Sequence, residues 1–513
     1  MSATTPFAAF PRRALLLAAT AALALTAACT LGPDYQPPKA DAPATWSATT
    51  TQSAMKIQAS ADPTVLAHWW TEFHDPTLDK LVADVVAGNL DLKVAEQRIL
   101  SARAQRQQAA AAQYPSVKGE TAAMRNRLPP GTFGQLGGTN NIFLAGFDAS
   151  WELDLFGGTR RSIEAADANV EAGIENRRSM VMSMLAELGT DYAALRSLQA
   201  RTAIANENVR LSQETRDLTA AKYKVGLATE LQLAEADGQL EQQKAVLPTL
   251  ATQAAQRAHA IATLTGRTPA DVDGLLTTAG PEVPLPPALP ASLPSEVVRA
   301  RPDIRAAERT MAATNAEIGV KEAARFPKVS LGLIGGFLNP DLGKLLQGDS
   351  FGWSVGPTVS GTLFDGGRLK AGVKDAEAQA EQARLTYRKT VLTAFQEVED
   401  ALVAYTNERQ RNETLHRALD AAQRAQDRAR SQYRAGLADF LSVLDADRTL
   451  ATSKDAVAQS DYALVQQTIA LYKALGGGWQ AGETGTGETG AGEAAAADTV
   501  PAGSHGGAGN PPA

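Results

Sequence analysis

The chain is written twice. "AAKYKVGLATELQLAEADGQL", beginning at Ala220, is matched by "RSQYRAGLADFLSVLDADRTL", beginning at Arg430, at an offset of 210 residues. The apolar set Val181, Leu185, Leu188, Tyr192 and Leu195 returns at Val391, Phe395, Val398, Leu402 and Tyr405 with the same offset. "QYPSV" at Gln113 returns as "RFPKV" at Arg325, and "LFGGTR" at Leu155 returns as "LFDGGR" at Leu363, so small insertions separate parallel blocks. A duplicated sequence builds one supersecondary unit twice and buries its apolar faces by packing the copies together. The two units expected are residues 76–280 and 295–479, joined by a proline-rich linker at 281–294 and preceded by an extension at 29–75.

Each unit reads helix, hairpin, long helix, turn, helix. The 4, 3, 4, 3 spacing of the apolar sets is a coiled-coil seam, narrower than the stripe of an ordinary globular helix. Two proline-free segments, about Gly158 to Tyr223 and about Gly367 to Tyr433, carry it. At about 1.5 Å per residue each makes a rod near 100 Å, which must pack lengthwise on neighbours. A structural coiled coil without a pore would account for these helices equally well.

The hairpins argue for more. In "NIFLAGFDASWELDL", Asn141 to Leu155, the residues Phe143, Ala145, Phe147, Ala149, Trp151, Leu153 and Leu155 point one way, and Asp148, Ser150, Glu152 and Asp154 the other. That alternation suits lipid outside and water inside. Phe351, Trp353, Val355, Val359 and Leu363 repeat it in the second copy, with Val329, Leu331, Leu333 and Phe337 as the partner strand. The first copy's partner, "PSVKGETAAMRNR" from Pro115, is weaker, and its charged side chains are expected to face the lumen or lie near the rim. The connections "LPPGTFGQLGG" and "NPDLGKLLQGD" read as exposed loops. No segment offers the eighteen or so apolar residues of a membrane helix, so a membrane crossing would use strands. A four-stranded sheet in lipid would leave two edges of unpaired backbone groups, each costing several kcal/mol, so it must close with other subunits.

The formal charge is −7, and residues 1–28 hold two arginines and no acids, so loss of that segment would leave −9. An acidic chain without a basic cluster is a poor nucleic-acid binder. Arg12 and Arg13, the apolar run Ala14 to Leu25, and small Ala27 and Ala28 describe a cleaved export signal at 1–28. It resembles a bacterial lipoprotein signal, which implies acylation of Cys29, the only cysteine, although Thr26 stands where an aliphatic residue is usual. Plain secretion with an incidental cysteine stays open. Thr30, which is not Asp, favours the outer membrane over retention at the inner one.

"CTLGPDY" at Cys29, "WWTEFHDPTLDKLV" at Trp69, "WELDLFG" at Trp151, "RARPDIRAAE" at Arg299, "LFDGGR" at Leu363, "FQEVEDAL" at Phe395 and "LYKALGGGW" at Leu471 together resemble the outer-membrane efflux channels of the TolC and OprM type. The likeness is to the lipoprotein branch that serves resistance-nodulation-division systems. It spans about residues 29–479. The fold it implies is an α+β membrane protein with two internal repeats: a long α-helical coiled-coil barrel, plus four strands per subunit in a trimeric 12-stranded β-barrel. The implied partners are a homotrimer, a periplasmic adaptor, an inner-membrane pump and outer-membrane lipid. The tail at 480–513, rich in Gly, Ala and Glu, has no counterpart in that family and reads as disordered.

No catalytic constellation emerges and no cofactor is implied. His68, His74, His259, His416 and His505 form no HExxH, and His68 and His74 near Glu72 read as packing and surface residues rather than a metal site. "GGFLNPDLGK" lacks a phosphate loop's first glycine, since Leu338 stands there. The turns "YKVGLAT" and "YRAGLAD" place Gly226 and Gly436 where glycine ends a helix. The resemblance adds that Leu227 and Leu437 meet the adaptor. It also implies an acidic periplasmic constriction, to which Asp445 matches, with Asp439, Asp447 and Glu235 as further candidates and Ser442 in place of the usual acidic companion. A solvated helix face explains any single one of these acids as well. The reading is a passive efflux duct for drugs or other small solutes. The alternatives are the exit duct of type I protein secretion and a periplasmic structural lipoprotein.

Overall fold

The computed structural model describes residues 30–38, 42–43, 46, 57–58, 63–128, 138–276, 280, 282–285, 289–290 and 294–483. In the first copy, α1 (Pro76–Gly88) and α2 (Leu90–Ala111) lead into strands β1 (Ser116–Leu128) and β2 (Gly138–Leu153), then α3 (Gly158–Lys224) and α4 (Glu230–Leu264). In the second, α5 (Pro302–Ala323) leads into β3 (Lys328–Asn339) and β4 (Phe351–Ser360), then α6 (Arg368–Arg434) and α7 (Phe440–Ala474). The offset of 210 holds at both ends of α3 and α6 and of α4 and α7. Helices α3 and α6 are each 67 residues long, about 100 Å at 1.5 Å per residue. Helix α3 packs along α2, α4, α5 and α7, and α6 along α5 and α7, so each rod is sheathed by shorter helices stacked end to end.

Carboxylates set where the helices begin. Asp75 accepts hydrogen bonds from the amides of Thr77 and Leu78 ahead of α1, with Pro76 at its first position. Asp154 accepts from the amides of Thr159 and Arg160 at 3.1 and 2.9 Å. Asp365 does the same for Gly367 and Leu369, both at 2.8 Å. This corrects the reading of the strand ends. The alternation was expected to run to Leu155 and Leu363, but β2 stops at Leu153 and β4 at Ser360, because the chain turns there to cap the long helices.

The strands form one antiparallel sheet in the order β1-β2-β3-β4. Register puts Val117, Ala149, Leu333 and Val355 in one cross-strand row, and Gly119, Phe147, Gly335 and Trp353 in the next row on the same face. Phe147 lies over Gly335, where a Cβ would stand 2.9 Å from the ring. This face is largely apolar as far as Ala123 and Phe143, with Arg125 and Arg127 beyond them, and its Trp353 is 70% exposed. The opposite face carries Lys118, Glu120, Asp148, Ser150, Glu152, Ser330, Ser354 and Thr358, with Lys328 paired to Glu152 at 2.9 Å. Strands of 10 to 16 residues with a largely apolar face, backed by one that is charged in the half nearer the helices, have the pattern of strands between lipid and a wet lumen. The outer edges of β1 and β4 have no strand partner among the described residues. The loop at 129–137 lies outside the described residues, while 339–350 folds into two short 3-10 turns. No described helix is long and apolar enough to cross a membrane.

The helical core is keyed by one tryptophan. Trp69 is 1% exposed, stacks on Tyr472 at 5.6 Å and meets Trp70 and Phe73 edge-on. Its indole fits a notch cut by glycines: a Cβ on Gly189 would lie 2.8 Å from the ring, and one on Gly478 2.8 Å from Nε1. Gly478 also has φ 94°, which only glycine adopts without strain. The motifs "WWTEF" and "ALGGGW" are therefore the two halves of one joint. Next to it Trp479 is sandwiched between the guanidinium groups of Arg178 and Arg305, at 4.8 and 4.7 Å, which fastens the end of the described chain to α3 and α5. Helix α4 contains Pro248, where α7 has Ala458 at the equivalent position. Trp69→Ala should destabilise the fold by about 3–5 kcal/mol, the usual cost of emptying a large aromatic site. Denaturant unfolding of the purified variant measures it, and a loss below about 1 kcal/mol would show that the joint is dispensable.

Candidate functional site

The two helix hairpins end side by side. At the first tip the Gly226 amide donates to the Tyr223 carbonyl at 3.0 Å and the Leu227 amide to the Lys222 carbonyl at 2.8 Å. At the second, Gly436 donates to Tyr433 at 3.1 Å and Leu437 to Gln432 at 2.8 Å. These are paired Schellman closures, and both glycines have φ 74°. The geometry consumes the backbone donors of Leu227 and Leu437 and turns their side chains outward, where they are 77% and 80% exposed. Lys222 joins the tips: its Nζ donates to the Tyr433 carbonyl at 3.1 Å and sits 3.5 Å from the Tyr433 ring centroid. Beneath it Tyr433, Phe440, Val443, Leu444 and Ala236 form a small buried cluster. Tip positions 210 residues apart in sequence thus become one surface.

The four acidic candidates separate by what they touch. Asp439 is the N-cap of α7, accepting from the Ser442 amide at 2.8 Å. Hydrogen bonding from Ser442 holds its carboxyl below the usual range. Asp447 is 11% exposed and lies within a network. It accepts from Gln426 Nε2 at 2.9 Å, from Arg430 at 3.1 Å to each oxygen, and from Thr215 Oγ1 at 3.3 Å. Arg430 continues to the Leu211 carbonyl at 3.2 Å. The network therefore bolts α6 and α7 of the second copy to α3 of the first. Glu235 is half-buried on α4, and Asp445 is exposed.

Arg430, Gln426, Thr215 and Lys222 were not singled out from sequence. A signal for two of them exists in the repeat. Asp237, the counterpart of Asp447, pairs with Arg216 at 2.7 Å, and the residue 210 further on is Gln426. In the second copy an amide replaces that arginine, and the guanidinium comes from Arg430 one turn along, close enough to reach the first copy.

At the other end of the long helices, where strands become helices, an N-terminal arm is pinned to the sheet–helix junction. The Leu31 amide donates to the Phe156 carbonyl at 3.2 Å, and Thr30 lies against Gly157, where a Cβ would stand 2.8 Å from its methyl. Arg161, buried on α3, donates to the carbonyls of Leu31 and Gly32 at 3.1 and 3.3 Å and pairs with Asp34 at 2.7 Å. Gly32 (φ 88°) passes over Gly319, an approach too close for any side chain. The arm then runs down α5, with Tyr35 donating to Glu308 at 3.0 Å, and Trp46 meets Phe395 edge-on. Cys29 lies outside the described residues; its neighbour Thr30 is placed at the base of the strands. His68 lies edge-on to Trp70, and His74 Nδ1 sits 2.8 Å from the Glu72 carbonyl in a left-handed turn.

The outer membrane efflux protein family model matches this chain twice, over residues 81–267 and 293–477. TtgC of Pseudomonas putida, called a probable efflux pump outer membrane protein, is 32% identical over 458 residues, covering 88% of this chain and 93% of its own length. The cation efflux system protein CusC of Escherichia coli is 31% identical over 475 residues, covering 91% and 99%. Among solved structures, the outer-membrane channel OprN superposes with a TM-score of 0.82 at 37% identity, over 88% of this chain and all of that one. Two family matches in tandem, nearly full-length relatives and a shared fold agree: this chain belongs to the outer membrane efflux protein family.

Proposed function

We propose that three copies of this chain close a hollow 12-stranded barrel in the outer membrane and continue it as a helical tunnel. The tunnel carries small solutes out of the cell as the exit duct of a pump-driven efflux system. The observation that carries this reading is the sheet itself: among the described residues it has four strands, an apolar face, a charged face and two edges without a strand partner. Four strands are too few to enclose a lumen, and the smallest membrane barrels have about eight. Because β1 and β4 run antiparallel to each other, β4 of one copy can pair with β1 of the next without breaking the alternation.

The internal repeat supplies the register of that seam. Val117 pairs with Ala149 in the first hairpin and Val329 with Val359 in the second, so the two hairpins correspond through these pairs. The seam between the hairpins sets Ala149 opposite Leu333. Carried across the subunit boundary, it sets Val359 opposite Thr121 of the partner subunit. The exposed Leu227 and Leu437 dock the periplasmic adaptor. Asp445, exposed like Asp439 but not taken up in capping a helix, contributes a ring of carboxylates at the tunnel's narrow end, where like charges on a threefold axis favour cations. Cys29, one residue before the pinned Thr30, carries the lipid anchor in the inner leaflet. The channel needs no chemistry of its own; the inner-membrane pump supplies drive and chooses the solute.

With Cys29 replaced by Ser, the pair Val359→Cys and Thr121→Cys should form disulfide-linked oligomers up to a trimer on non-reducing gels, since facing strand residues lie about 4.5–5.5 Å apart. Cross-linking of Val359→Cys to Ala123→Cys or Gly119→Cys instead would overturn the register. No cross-link at any of the three would overturn closure by β1 and β4. Leu227→Ser with Leu437→Ser should abolish drug or metal export by cells while heat-modifiable trimers remain in the outer membrane; normal export ends the docking assignment. Asp445→Asn should lower cation selectivity in planar bilayer recordings, and an unchanged reversal potential removes that residue from the constriction.

A further inference from the structure

Two arginines sit on the wrong face for a barrel strand. In β1 the residues Val117, Gly119, Thr121 and Ala123 share the apolar outward face with Phe143, Phe147 and Trp151 of β2, and the same alternation continues to Arg125 and Arg127, opposite Asn141 and Thr139. Lys118 and Glu120, by contrast, point to the lumen. Both arginines are exposed. A guanidinium facing lipid costs about 2–4 kcal/mol at the bilayer midplane and about 0–1 near the interfaces, so their height decides whether they are tolerable.

Height follows from register. Trp151, whose indole donates to the Gln113 carbonyl at 2.8 Å, lies level with residue 115 at the base of β1. Arg125 and Arg127 are ten and twelve residues further up. At about 3.4 Å per residue and a tilt near 45°, that is roughly 24–29 Å above Trp151, the outward tryptophan nearest the helices. The apolar band of such barrels is about 25 Å tall. The arginines therefore stand at the outer headgroup level, facing out.

No carboxylate shares their face. The outward positions of all four strands are apolar, glycine, threonine, asparagine or these arginines. The nearest acids in the described β3–β4 loop are Asp341, whose carboxylate is occupied by the Gly343 amide at 2.9 Å, and Asp349. The loop joining β1 to β2 contains no acid. Two adjacent guanidinium groups with a planar fork of donors each, and no countercharge on their own face, fit phosphate esters.

Building on the barrel reading above, we propose that Arg125 and Arg127 bind the phosphates of phosphorylated lipid headgroups in the outer leaflet, one such pair per subunit. The pair fixes the barrel's height and recruits that lipid as a belt. Arg127 also falls level with Trp353 of the partner subunit in the register derived above, which leaves its guanidinium beside an aromatic face and still turned to the membrane.

The test uses the full-length trimer in nanodiscs of phosphatidylcholine doped with bis-phosphorylated lipid A or with its dephosphorylated form, with retained lipid counted by native mass spectrometry. The wild-type protein should retain the phosphorylated lipid preferentially. Arg125→Gln with Arg127→Gln should lower retention by about tenfold, the value of one charge-assisted pair, and Arg125→Lys with Arg127→Lys should keep most of it. Equal retention by wild type and the Gln variant would overturn the proposal. So would complete displacement of lipid by millimolar inorganic phosphate, which would mark a site for free phosphate. Loss of the heat-modifiable trimer with lipid retention unchanged would assign the pair to the subunit seam instead. A wild-type protein that never forms trimers would sink the barrel reading, an outcome distinct from all of these.

Discussion

Everything in this molecule answers to the backbone groups along the free edges of β1 and β4. In water those amides and carbonyls would be solvated at little cost; in hydrocarbon each unpaired group costs several kcal/mol, more in sum than a protein's whole stability. The apolar face forces the sheet into lipid, and the edges then forbid it to stay open. Oligomerisation is therefore part of folding here, and the outward row from Val117 to Val355 and the charged inward row are consequences of the same closure.

The helical part solves a different problem with the same duplicated unit. A 67-residue helix finds no partner of its own length packed along it here, so α3 is sheathed by four shorter helices and α6 by two, and the joints between the shorter pieces need local reinforcement. Trp69 in its glycine notch and Trp479 between two arginines serve that purpose at mid-height. Lower down, Asp447 and Arg430 tie the second copy to the first. The buried apolar cluster at the tips is small, five residues around Tyr433 and Phe440, so this end is held by less packing than the middle of the molecule.

Much of the architecture was legible in the sequence, because periodicity and repetition are local signals. The long helices, expected to end near Tyr223 and Tyr433, end at Lys224 and Arg434, and the four strands lie where alternation put them. Strand ends were misjudged at Leu155 and Leu363, since a carboxylate that looks like one more inward residue was in fact a helix cap. The acids near the tip looked alike in sequence and differ in the structure: Asp439 caps, Asp447 is held by four side-chain donors, and Asp445 faces solvent. That distinction depends on Arg430 and Thr215, which come from separate helices, and no single-segment pattern reports it. The seat of Trp69 was equally hidden, as it is assembled from Gly189 and Gly478, nearly three hundred residues apart.

The two returning helices are not mechanical twins. Pro248 cannot donate to the carbonyl four residues earlier and crowds it, so α4 has a built-in weak point, whereas Ala458 leaves α7 uninterrupted at the matching place. Bending stiffness thus alternates around the tunnel, one compliant stave beside one rigid stave, and a deformation that dilates the lower end would flex the compliant set while the rigid set acts as its fulcrum.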